Sequence, residues 1–523
     1  MVDLFGGNPN NPLASTVDSD DSVQLLDTTL RDGEQAPGVS LTPDEKADIA
    51  RSLDRANIEF IEAGSACTGE GERATIRQVT ALDLDATVTS FARGVRNDID
   101  LALDCDVDGV TIVVPASDKH IERKVGTTHD EVVENTADLV AYAKDHGLWV
   151  EVIGEDGSRA DLDFLERLMR EALDAGADRS CFADTVGHAT PETAYEYVSR
   201  LAELGPVSTH THDDLGLGMT NVWASLTAGA DLVHGTINGI GERAGNVALE
   251  EVAIALAHGY DVETAKLEDL YDLAQQVSHA TGVPLPPNKA VVGENAFTHE
   301  SGIHTDGTLK DDTMYEPYPP ELVGRERRLV LGKHAGRAGV RAALEEHDVD
   351  VSEEELAAIV ERVKRLGDRD QRVTDADRLA SAEDVQGRER DRYVELLDLT
   401  AASGGGTPTA SVRLRVGEQE RVASGTGSGP VDAAVKAVRA ALGSEADATL
   451  ESYHVDAITG GTDAVVTVEV EMSKGDRTVT VATSDSDITR CSVDAMVEAL
   501  DRLLGSAAVG PDSESEGATL ADD

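Results

Sequence analysis

The chain has 523 residues and is strongly acidic, because 100 Asp and Glu residues outnumber 45 Lys and Arg residues and give a net charge of −55. This charge excludes a nucleic-acid partner and an anionic membrane surface, since phosphates would be repelled over most of the protein. The length predicts one large domain and at least one smaller one. The acidic residues are spread along the whole chain, which indicates a halophilic source where salt screens their repulsion.

Residues 1–22 are polar and lack the basic and apolar regions of a signal peptide, so we expect a flexible start. No apolar run has the length of a membrane-spanning helix, and we therefore expect a cytoplasmic protein without a membrane partner. Four cysteines are scattered without metal-binding spacing. They predict reduced, mostly buried thiols and neither a disulfide framework nor a structural zinc site.

From residue 23 to about residue 246 the sequence repeats a short β-branched run, a polar turn and a longer amphipathic stretch, which is typical of βα units. We assign residues 23–283 to the domain that these units build. Eight such units over this length predict an α/β fold, a closed (β/α)₈ TIM barrel. The predicted strands are Val23–Leu30, Phe60–Ser65, Ala86–Ala92, Gly109–Pro115, Trp149–Ile153, Arg179–Ala183, Val207–His212 and Leu232–Ile237. Helical spacing is clearest at Pro43–Ala56, Thr128–His146, Ala160–Ala175 and Pro191–Leu204.

Polar side chains follow five of the predicted strands, at the end where TIM barrels carry their functional groups. They are Arg31 and Asp32, Glu155 and Asp156, Asp184 and Thr185, His210 and His212, and Glu242, Arg243 and Asn246. Groups after so many strands favour a closed barrel over an open doubly wound sheet, whose ligands gather at one switch point.

Beyond the barrel, residues 284–366 are predicted as linker subdomains, first irregular and rich in Gly, Pro, His and Asn and then helical. Residues 367–391 form a charged connector, and 507–523 form an acidic tail. Between these two segments, residues 392–506 predict a separate α+β domain. Its predicted elements are the strands Tyr393–Leu399, Ala410–Val416 and Ala464–Met472 and the helices Val431–Leu442 and Ser492–Leu504.

A metal site is predicted from His210 and His212, whose side chains lie on one face of a strand because side chains alternate along it. Asp32 adds a carboxylate and Asn246 a fourth candidate ligand, which leaves coordination positions open as in a catalytic site. Mg²⁺, Mn²⁺, Co²⁺ and Zn²⁺ all suit these ligands, and two satisfied core histidines are the alternative. A metal beside Arg31 suits a bidentate 2-oxo acid, whose developing oxyanion the arginine steadies.

Five motifs are spread over nearly the whole chain. They are D-T-T-L-R-D-G-E-Q (27–35), T-H-T-H-D-D-L-G (209–216), N-G-I-G-E-R-A-G-N (238–246), N-A-F-T-H-E-S-G-I-H (295–304) and L-G-K-H-A-G-R (331–337). Together they resemble the 2-isopropylmalate, (R)-citramalate and homocitrate synthase family, and I-E-A-G-S-A (61–66) is similar to its archaeal citramalate-type branch. The resemblance implies condensation of acetyl-CoA with a 2-oxo acid on a TIM barrel. It further implies an amino-acid-sensing C-terminal domain and a homodimer in which the linker of one subunit covers the barrel of the other.

The resemblance also implies roles for single residues. Asp32, His210 and His212 match the metal ligands, and Asn246 matches a supporting ligand. Arg31 matches the residue that stabilises the enolate and carbonyl oxygens.

Further roles follow from the same resemblance for residues outside the metal site. Glu155 matches a catalytic carboxylate. His299 and Tyr315, in the linker, match groups that take part in deprotonating the acetyl methyl group and in moving protons, which is chemistry suited to histidine near neutral pH. Thr185 matches a contact to the carboxylate of the oxo acid.

The choice of oxo acid depends on the neighbouring pocket. Where this chain has Ile153, many relatives have serine, so the bulkier isoleucine side chain narrows the pocket. Thr111, a second candidate substrate-binding residue, stands where a histidine that contacts the substrate is common in the family. We therefore expect pyruvate and (R)-citramalate, with 2-isopropylmalate second and homocitrate third, and with isoleucine or leucine as effector. The competing hypotheses are a lyase or aldolase of the same barrel class and an amino-acid sensor with an inactive barrel.

Overall fold

The computed structural model describes most of the chain outside its two termini. The described residues are 23–311, 314–329, 336–345, 347, 349–367, 374–386, 392–443, 448–457, 466–475 and 477–505. The predicted flexible start (1–22), the acidic tail (507–523) and most of the L-G-K-H-A-G-R motif (331–335) lie outside them, as do both ends of the charged connector (368–373 and 387–391).

Eight parallel strands close into a barrel in which β1 pairs with both β2 and β8. The predicted TIM barrel is therefore confirmed. The strands are β1 (Gln24–Asp27), β2 (Phe60–Glu62), β3 (Thr87–Arg93), β4 (Gly109–Pro115), β5 (Trp149–Glu155), β6 (Arg179–Asp184), β7 (Val207–Thr211) and β8 (Leu232–Gly235). The helices that follow them are α1 (Pro43–Arg55), α2 (Glu70–Thr80), α3 (Arg96–Leu103), α4 (His129–Asp145), α5 (Leu162–Asp174), α6 (Pro191–Ala202), α7 (Gly218–Thr227) and α8 (Leu249–Tyr260).

Local sequence signals set the ends of several helices. Thr42 and Thr128 begin α1 and α4 as capping boxes, in which the threonine hydroxyl accepts from the third helical N–H and the glutamate there accepts from the threonine N–H. Pro43 and Pro191 occupy first-turn positions, where the missing N–H costs no helical hydrogen bond. These signals explain why the predicted and observed helices agree closely.

The main hydrophobic core lies between the strands and the surrounding helices, where Val110, Ile112 and Val152 are fully buried. Inside the barrel, Phe60 and Leu232, from the first residues of β2 and β8, form an apolar cluster with Leu26. This cluster fills the amino end of the barrel, so the polar strand ends face a space that opens at the carboxyl end.

The barrel unit continues with α9 (Leu270–Thr281), runs to Phe297 and also includes Glu316–Arg327. The guanidinium of Arg325 lies 4.8 Å from the ring centroid of Tyr271 and 5.5 Å from that of Phe297. These cation–π contacts join the later segment to the barrel unit.

A second unit consists of 298–315 and the chain from Arg328 onward. Its first part pairs two short parallel strands and contains four helices. These elements are β9 (Thr298–His299), β10 (Arg328–Leu329), α10 (Gly302–Thr308), α11 (Arg337–Glu345), α12 (Glu353–Gly367) and α13 (Asp375–Gln386). Helix α13 occupies the middle of the segment for which the sequence predicted only a charged connector.

The predicted α+β domain follows, with two three-stranded antiparallel sheets and two helices. Its elements are β11 (Val394–Ala402), β12 (Thr409–Val416), β13 (Gln419–Thr426), α14 (Pro430–Leu442), β14 (Thr449–Ala457), β15 (Val466–Lys474), β16 (Arg477–Asp485) and α15 (Ile488–Gly505). The prediction of three strands was wrong, because β13, β14 and β16 are also present. Strand β13 was missed since it alternates between half-buried and exposed residues and carries few apolar side chains.

All four cysteines are free and three of them are buried, as predicted. Across the described part of the chain, we find no helix with both the length and the apolar character needed to cross a membrane.

Candidate active site

The turn after β1 brings Arg31 and Asp32 to the carboxyl end of the barrel. Its backbone is fixed by Asp27, whose carboxylate accepts hydrogen bonds from the N–H of Thr29 at 2.9 Å and from its hydroxyl at 2.6 Å. The N–H of Ile237, just after β8, donates to the same hydroxyl at 2.9 Å. Complete burial raises the pKa of Asp27 to about 7. This network ties the turn after β1 to the loop after β8.

The three predicted metal ligands converge. The Nε2 atoms of His210 and His212 lie 3.2 Å apart, and Oδ2 of Asp32 lies 3.4 Å from the first and 3.7 Å from the second. All three residues are buried, and their candidate ligand atoms lie within 4.8 Å of one another. One small cation between them would meet two imidazole nitrogens and one carboxylate oxygen.

The protonation states of these groups suit a cation. Burial alone would raise the pKa of Asp32, but the Arg31 cation and the two imidazoles hold it well below its usual range. Burial and the neighbouring His210 lower the pKa of His212 to about 4. An ionised carboxylate and a neutral imidazole are the forms that bind a metal. Within the described structure Oδ2 of Asp32 has no hydrogen bond, although it is buried, which fits a ligand atom.

Asn246 reaches this group through the glycine-rich loop after β8. A β-bridge pairs it with His212, and its Nδ2 donates to Ile240 O at 3.2 Å, while its buried Oδ1 has no hydrogen bond in the described structure. Gly245 has φ +90°, and a Cβ there would lie 2.0 Å from Gly239 O. The loop therefore requires glycine to bring Asn246 beside the histidines.

Arg31 is oriented by Glu62, a carboxylate for which the sequence predicted no role. Its Nε donates to Glu62 at 2.6 Å, its Nη1 lies 3.3 Å from Asp32, and its Cζ is 5.0 Å from the ring centroid of Phe91. The hydroxyl of Thr111 donates to the other oxygen of Glu62. Thr111, a predicted substrate contact, is fully buried. The feature that could have identified Glu62 as a functional residue is its position, since it is a carboxylate at the end of β2.

Glu155 was expected just after the fifth strand and is its last residue, because β5 runs two residues beyond the predicted end. It is held by the segment after β4, for which the sequence predicted no role. A π-helix, Lys119–Val125, follows β4. Nδ1 of His120 lies 3.2 Å from one oxygen of Glu155, and Nζ of Lys124 donates to the other. Short π-helical segments are frequent at functional sites.

Thr185 is linked to the metal site through Arg243. Its hydroxyl accepts from Asp156 N at 2.8 Å, and its carbonyl oxygen accepts from Nη2 of Arg243 at 2.9 Å. The same Nη2 lies 3.2 Å from Nδ1 of His212, and Asp214 accepts from Nε of Arg243 at 2.9 Å. The loops after β5, β6, β7 and β8 therefore form one hydrogen-bonded group.

Ile153 lies in a small apolar cluster with Cys181 and Ala183 inside the barrel. Below the metal site, His234 Nε2 lies 3.0 Å from Glu151 Oε2, and the rings of His210 and His234 pack edge to face at 5.7 Å. This buried contact between a histidine and a carboxylate lies beneath His210 and supports it.

His299 and Tyr315 belong to the second unit, where His299 lies in β9 and the ring of Tyr315 stacks on that of His304 with centroids 4.3 Å apart. Their roles beside the barrel residues stay predictions.

Two of the cavities found among the described residues open at the carboxyl end of the barrel. One of about 600 Å³ is bordered by Asn246, Arg243 and the 283–286 segment. The other, of about 200 Å³, is bordered by Arg31, Gln35 and Phe91. These volumes suit a small molecule and part of a longer one near the predicted metal ligands.

Three family models match the chain in order. A model described as HMGL-like matches residues 22–277, one described as homocitrate synthase post-HMGL domain-like matches 291–371, and one described as LeuA allosteric (dimerisation) domain matches 372–504.

The chain is also similar to archaeal proteins over most of its length. It is 53% identical over 485 residues to "Putative (R)-citramalate synthase CimA" of Methanothermobacter thermautotrophicus, with 92% of this chain and 98% of the relative covered. It is 47% identical over 489 residues to "(R)-citramalate synthase CimA" of Methanocaldococcus jannaschii, with 92% and 99% covered. A solved structure, the HMG-CoA lyase of Bacillus subtilis, matches with 20% identity and a TM-score of 0.47, covering 51% of this chain and 96% of that one.

Proposed function

The chain belongs to the family of the archaeal (R)-citramalate synthases, and on that premise we propose that it condenses acetyl-CoA with pyruvate to (R)-citramalate. The observation that carries the proposal is the buried group of Asp32, His210 and His212 beside Arg31. A cation next to an arginine suits an anionic substrate with an adjacent carbonyl, since both positive groups stabilise the negative charge that develops during the condensation.

The reaction forms one carbon–carbon bond and breaks one thioester. A base removes a proton from the acetyl methyl group, the methyl carbon bonds to C2 of pyruvate, and the carbonyl oxygen becomes an alkoxide that takes up a proton. Water then cleaves the thioester and releases CoA and (R)-citramalate. A divalent ion on Asp32, His210 and His212 would polarise the pyruvate carbonyl.

The remaining chemical roles belong to side chains of the protein itself. Arg31, held by Glu62 at 2.6 Å, stabilises the developing oxyanion. Glu155 serves the proton transfers, for which a carboxylate is a suitable group. The family resemblance assigns the imidazole of His299 and the phenol of Tyr315 to the same chemistry.

Pyruvate is favoured over larger oxo acids by Ile153. Its side chain lies with Cys181 and Ala183 in the barrel interior, so bulk at this position shortens the space for the substrate side chain. The hydroxyl of Thr111 donates its hydrogen bond to Glu62, which in turn orients Arg31. Thr111 therefore affects the substrate indirectly, through the position of Arg31. Each methylene group added to the substrate changes the free energy that discriminates between two oxo acids by only about 1 to 3 kcal/mol.

The proposal includes five further properties. The ion is Mn²⁺, Mg²⁺, Co²⁺ or Zn²⁺, and the matched LeuA-type domain binds isoleucine or, for a leucine-pathway enzyme, leucine, and forms a homodimer. The net charge of −55 supports function at high salt. Four free thiols and acetyl-CoA as co-substrate support a cytoplasmic location.

The test follows the release of free CoA thiol from acetyl-CoA in high-salt buffer, with pyruvate, 2-oxoisovalerate or 2-oxoglutarate and with or without Mn²⁺. We expect the fastest release with pyruvate and Mn²⁺, and none above background after EDTA. Faster release with 2-oxoisovalerate would make the chain a 2-isopropylmalate synthase, and with 2-oxoglutarate a homocitrate synthase. Absence of release with every oxo acid would refute the synthase and leave the lyase or the inactive sensor.

Two controls make this assay specific. A reaction without oxo acid measures plain thioester hydrolysis, which must be subtracted. The product from pyruvate is then analysed by chiral chromatography, and (S)-citramalate would contradict the proposed stereochemistry.

A further inference from the structure

The π-helix Lys119–Val125, which we call the rim helix, carries an unusual charge for this protein. Its sequence K-H-I-E-R-K-V contains three Lys and Arg residues and one Glu, whereas acidic residues outnumber basic ones by 100 to 45 in the whole chain. The acidic residue just before it, Asp118, already pairs with His129 at 2.9 Å. The rim helix is therefore a locally positive segment on a negative protein.

The rim helix lies at the edge of the candidate active site. It follows β4 at the carboxyl end of the barrel, and two of its side chains, His120 and Lys124, contact Glu155. Ile121 is fully buried and anchors the helix. The exposed charges of this helix are therefore carried by a segment that contacts the candidate active site.

Lys119 and Arg123 are exposed, and neither has a partner among the described residues. They differ in this from every other Lys and Arg of the described barrel unit, each of which contacts a carboxylate, a hydroxyl, a carbonyl oxygen or an aromatic ring. On a surface with such an excess of carboxylates, two unpaired cations four residues apart on one short helix are available for an anionic ligand.

The cavity of about 600 Å³, which is bordered by the loop after β8, offers no such unpaired cation among its described lining residues. Its cations are Arg243 and Lys289, and both are already neutralised, the first by Asp214 at 2.9 Å and the second by Glu250 and Glu251. A polyanion would therefore find free positive charge at the rim helix and not in that cavity.

We propose that Lys119 and Arg123 bind the phosphate groups of acetyl-CoA, an inference that rests on the proposed condensation. Acetyl-CoA carries a diphosphate and a 3′-phosphate, separated from its reacting thioester by a long uncharged pantetheine arm. A protein with a net charge of −55 repels such a ligand unless positive charge is placed where the phosphates lie. The arginine fork suits a phosphate group, and the lysine adds a point charge.

The test reverses both charges in the full-length protein, as Lys119→Glu with Arg123→Glu, at the lowest salt that keeps the chain folded. We expect KM for acetyl-CoA to rise about tenfold, because an exposed ion pair contributes up to about fivefold and each reversal replaces attraction by repulsion. We expect kcat and KM for the oxo acid to stay as in the wild type. With S-acetylpantetheine, which has the same thioester and no nucleotide phosphates, KM should be equal for variant and wild type.

Arg51→Glu is the matched control, because Arg51 is exposed near the end of α1 and pairs only locally with Asp48. Its KM for acetyl-CoA should equal that of the wild type. An unchanged KM in the double variant, or equal increases with both thioesters, would overturn the phosphate site.

Failure of the condensation itself is distinguishable from failure of this inference. If the wild type releases no thiol with any oxo acid, titration calorimetry with CoA still decides the inference. A wild type that binds CoA more tightly than the double variant supports the phosphate site, and equal affinities, or no binding by the wild type, refute it.

Discussion

Replacing Glu62 by glutamine tests whether the proposed role of Arg31 depends on the carboxylate at the end of β2. In the wild type, Glu62 is 1% exposed, accepts from Nε of Arg31 at 2.6 Å and accepts from the hydroxyl of Thr111. Glutamine keeps the shape and one acceptor oxygen but removes the charge. Arg31 is then left with Asp32, 3.3 Å away, as its carboxylate partner.

The size of the effect follows from these contacts. A hydrogen bond to a charged group contributes about 1.5 to 3 kcal/mol, and 1.36 kcal/mol corresponds to tenfold in rate, so we expect kcat to fall roughly 10- to 100-fold. Because Arg31 would turn toward Asp32 and compete with the ion for it, metal affinity should also fall about tenfold, as for other groups that orient metal ligands.

The assay measures kcat by thiol release and metal affinity by Mn²⁺ titration. Glu59→Gln is the matched control, since Glu59 directly precedes the first residue of β2 and accepts from Leu25 N at 3.1 Å. Its kcat should stay near that of the wild type. Thr111→Val, which removes the hydroxyl donor alone, should shift kcat in the same direction by less. A Glu62→Gln variant with wild-type kcat and metal affinity would refute the argument.

The other predictions concern the metal, a buried acid and the regulatory domain. His210→Ala removes one of three converging ligands, so bound metal and turnover should be lost while circular dichroism is unchanged; retained turnover would remove His210 from the site. Asp27 has its pKa raised to about 7 in the fold, so the folded state holds a proton that the unfolded state releases, and stability should fall as pH rises from about 4 to about 7, by up to about 4 kcal/mol. For Asp27→Asn, the free energy of unfolding measured in urea should not show this fall with pH. A pH profile parallel to that of the wild type would contradict the prediction. A chain ending at Gln386, before the α+β domain, should still condense its substrates but ignore isoleucine and leucine; persistent inhibition would place the effector elsewhere.

The barrel was predictable because its signals are local. Each strand is a short β-branched run between turn residues, and helices such as α1 and α4 begin with capping boxes that can be seen in the sequence. The strands missed in the C-terminal domain lack such signals. In β13, for example, the side chains Gln419 and Glu420 are exposed, and the strand exists because it pairs along β12.

The predicted metal ligands were partly visible from local rules as well. His210 and His212 share a strand face by alternation, and Asp32 follows the end of another strand. Their convergence required β1 and β7 both to lie beside β8, which only closure of the barrel produces.

What the amino-acid sequence determined by itself is the succession of strands and helices and the residues that stand at each strand end. What only the tertiary structure decided is which side chains reach one another there: Glu62 to Arg31, His120 to Glu155, and Arg243 to His212. The physical reason is that strand ends are fixed by local periodicity, whereas these contacts join residues 31 or more positions apart, and their geometry depends on the register and closure of all eight strands.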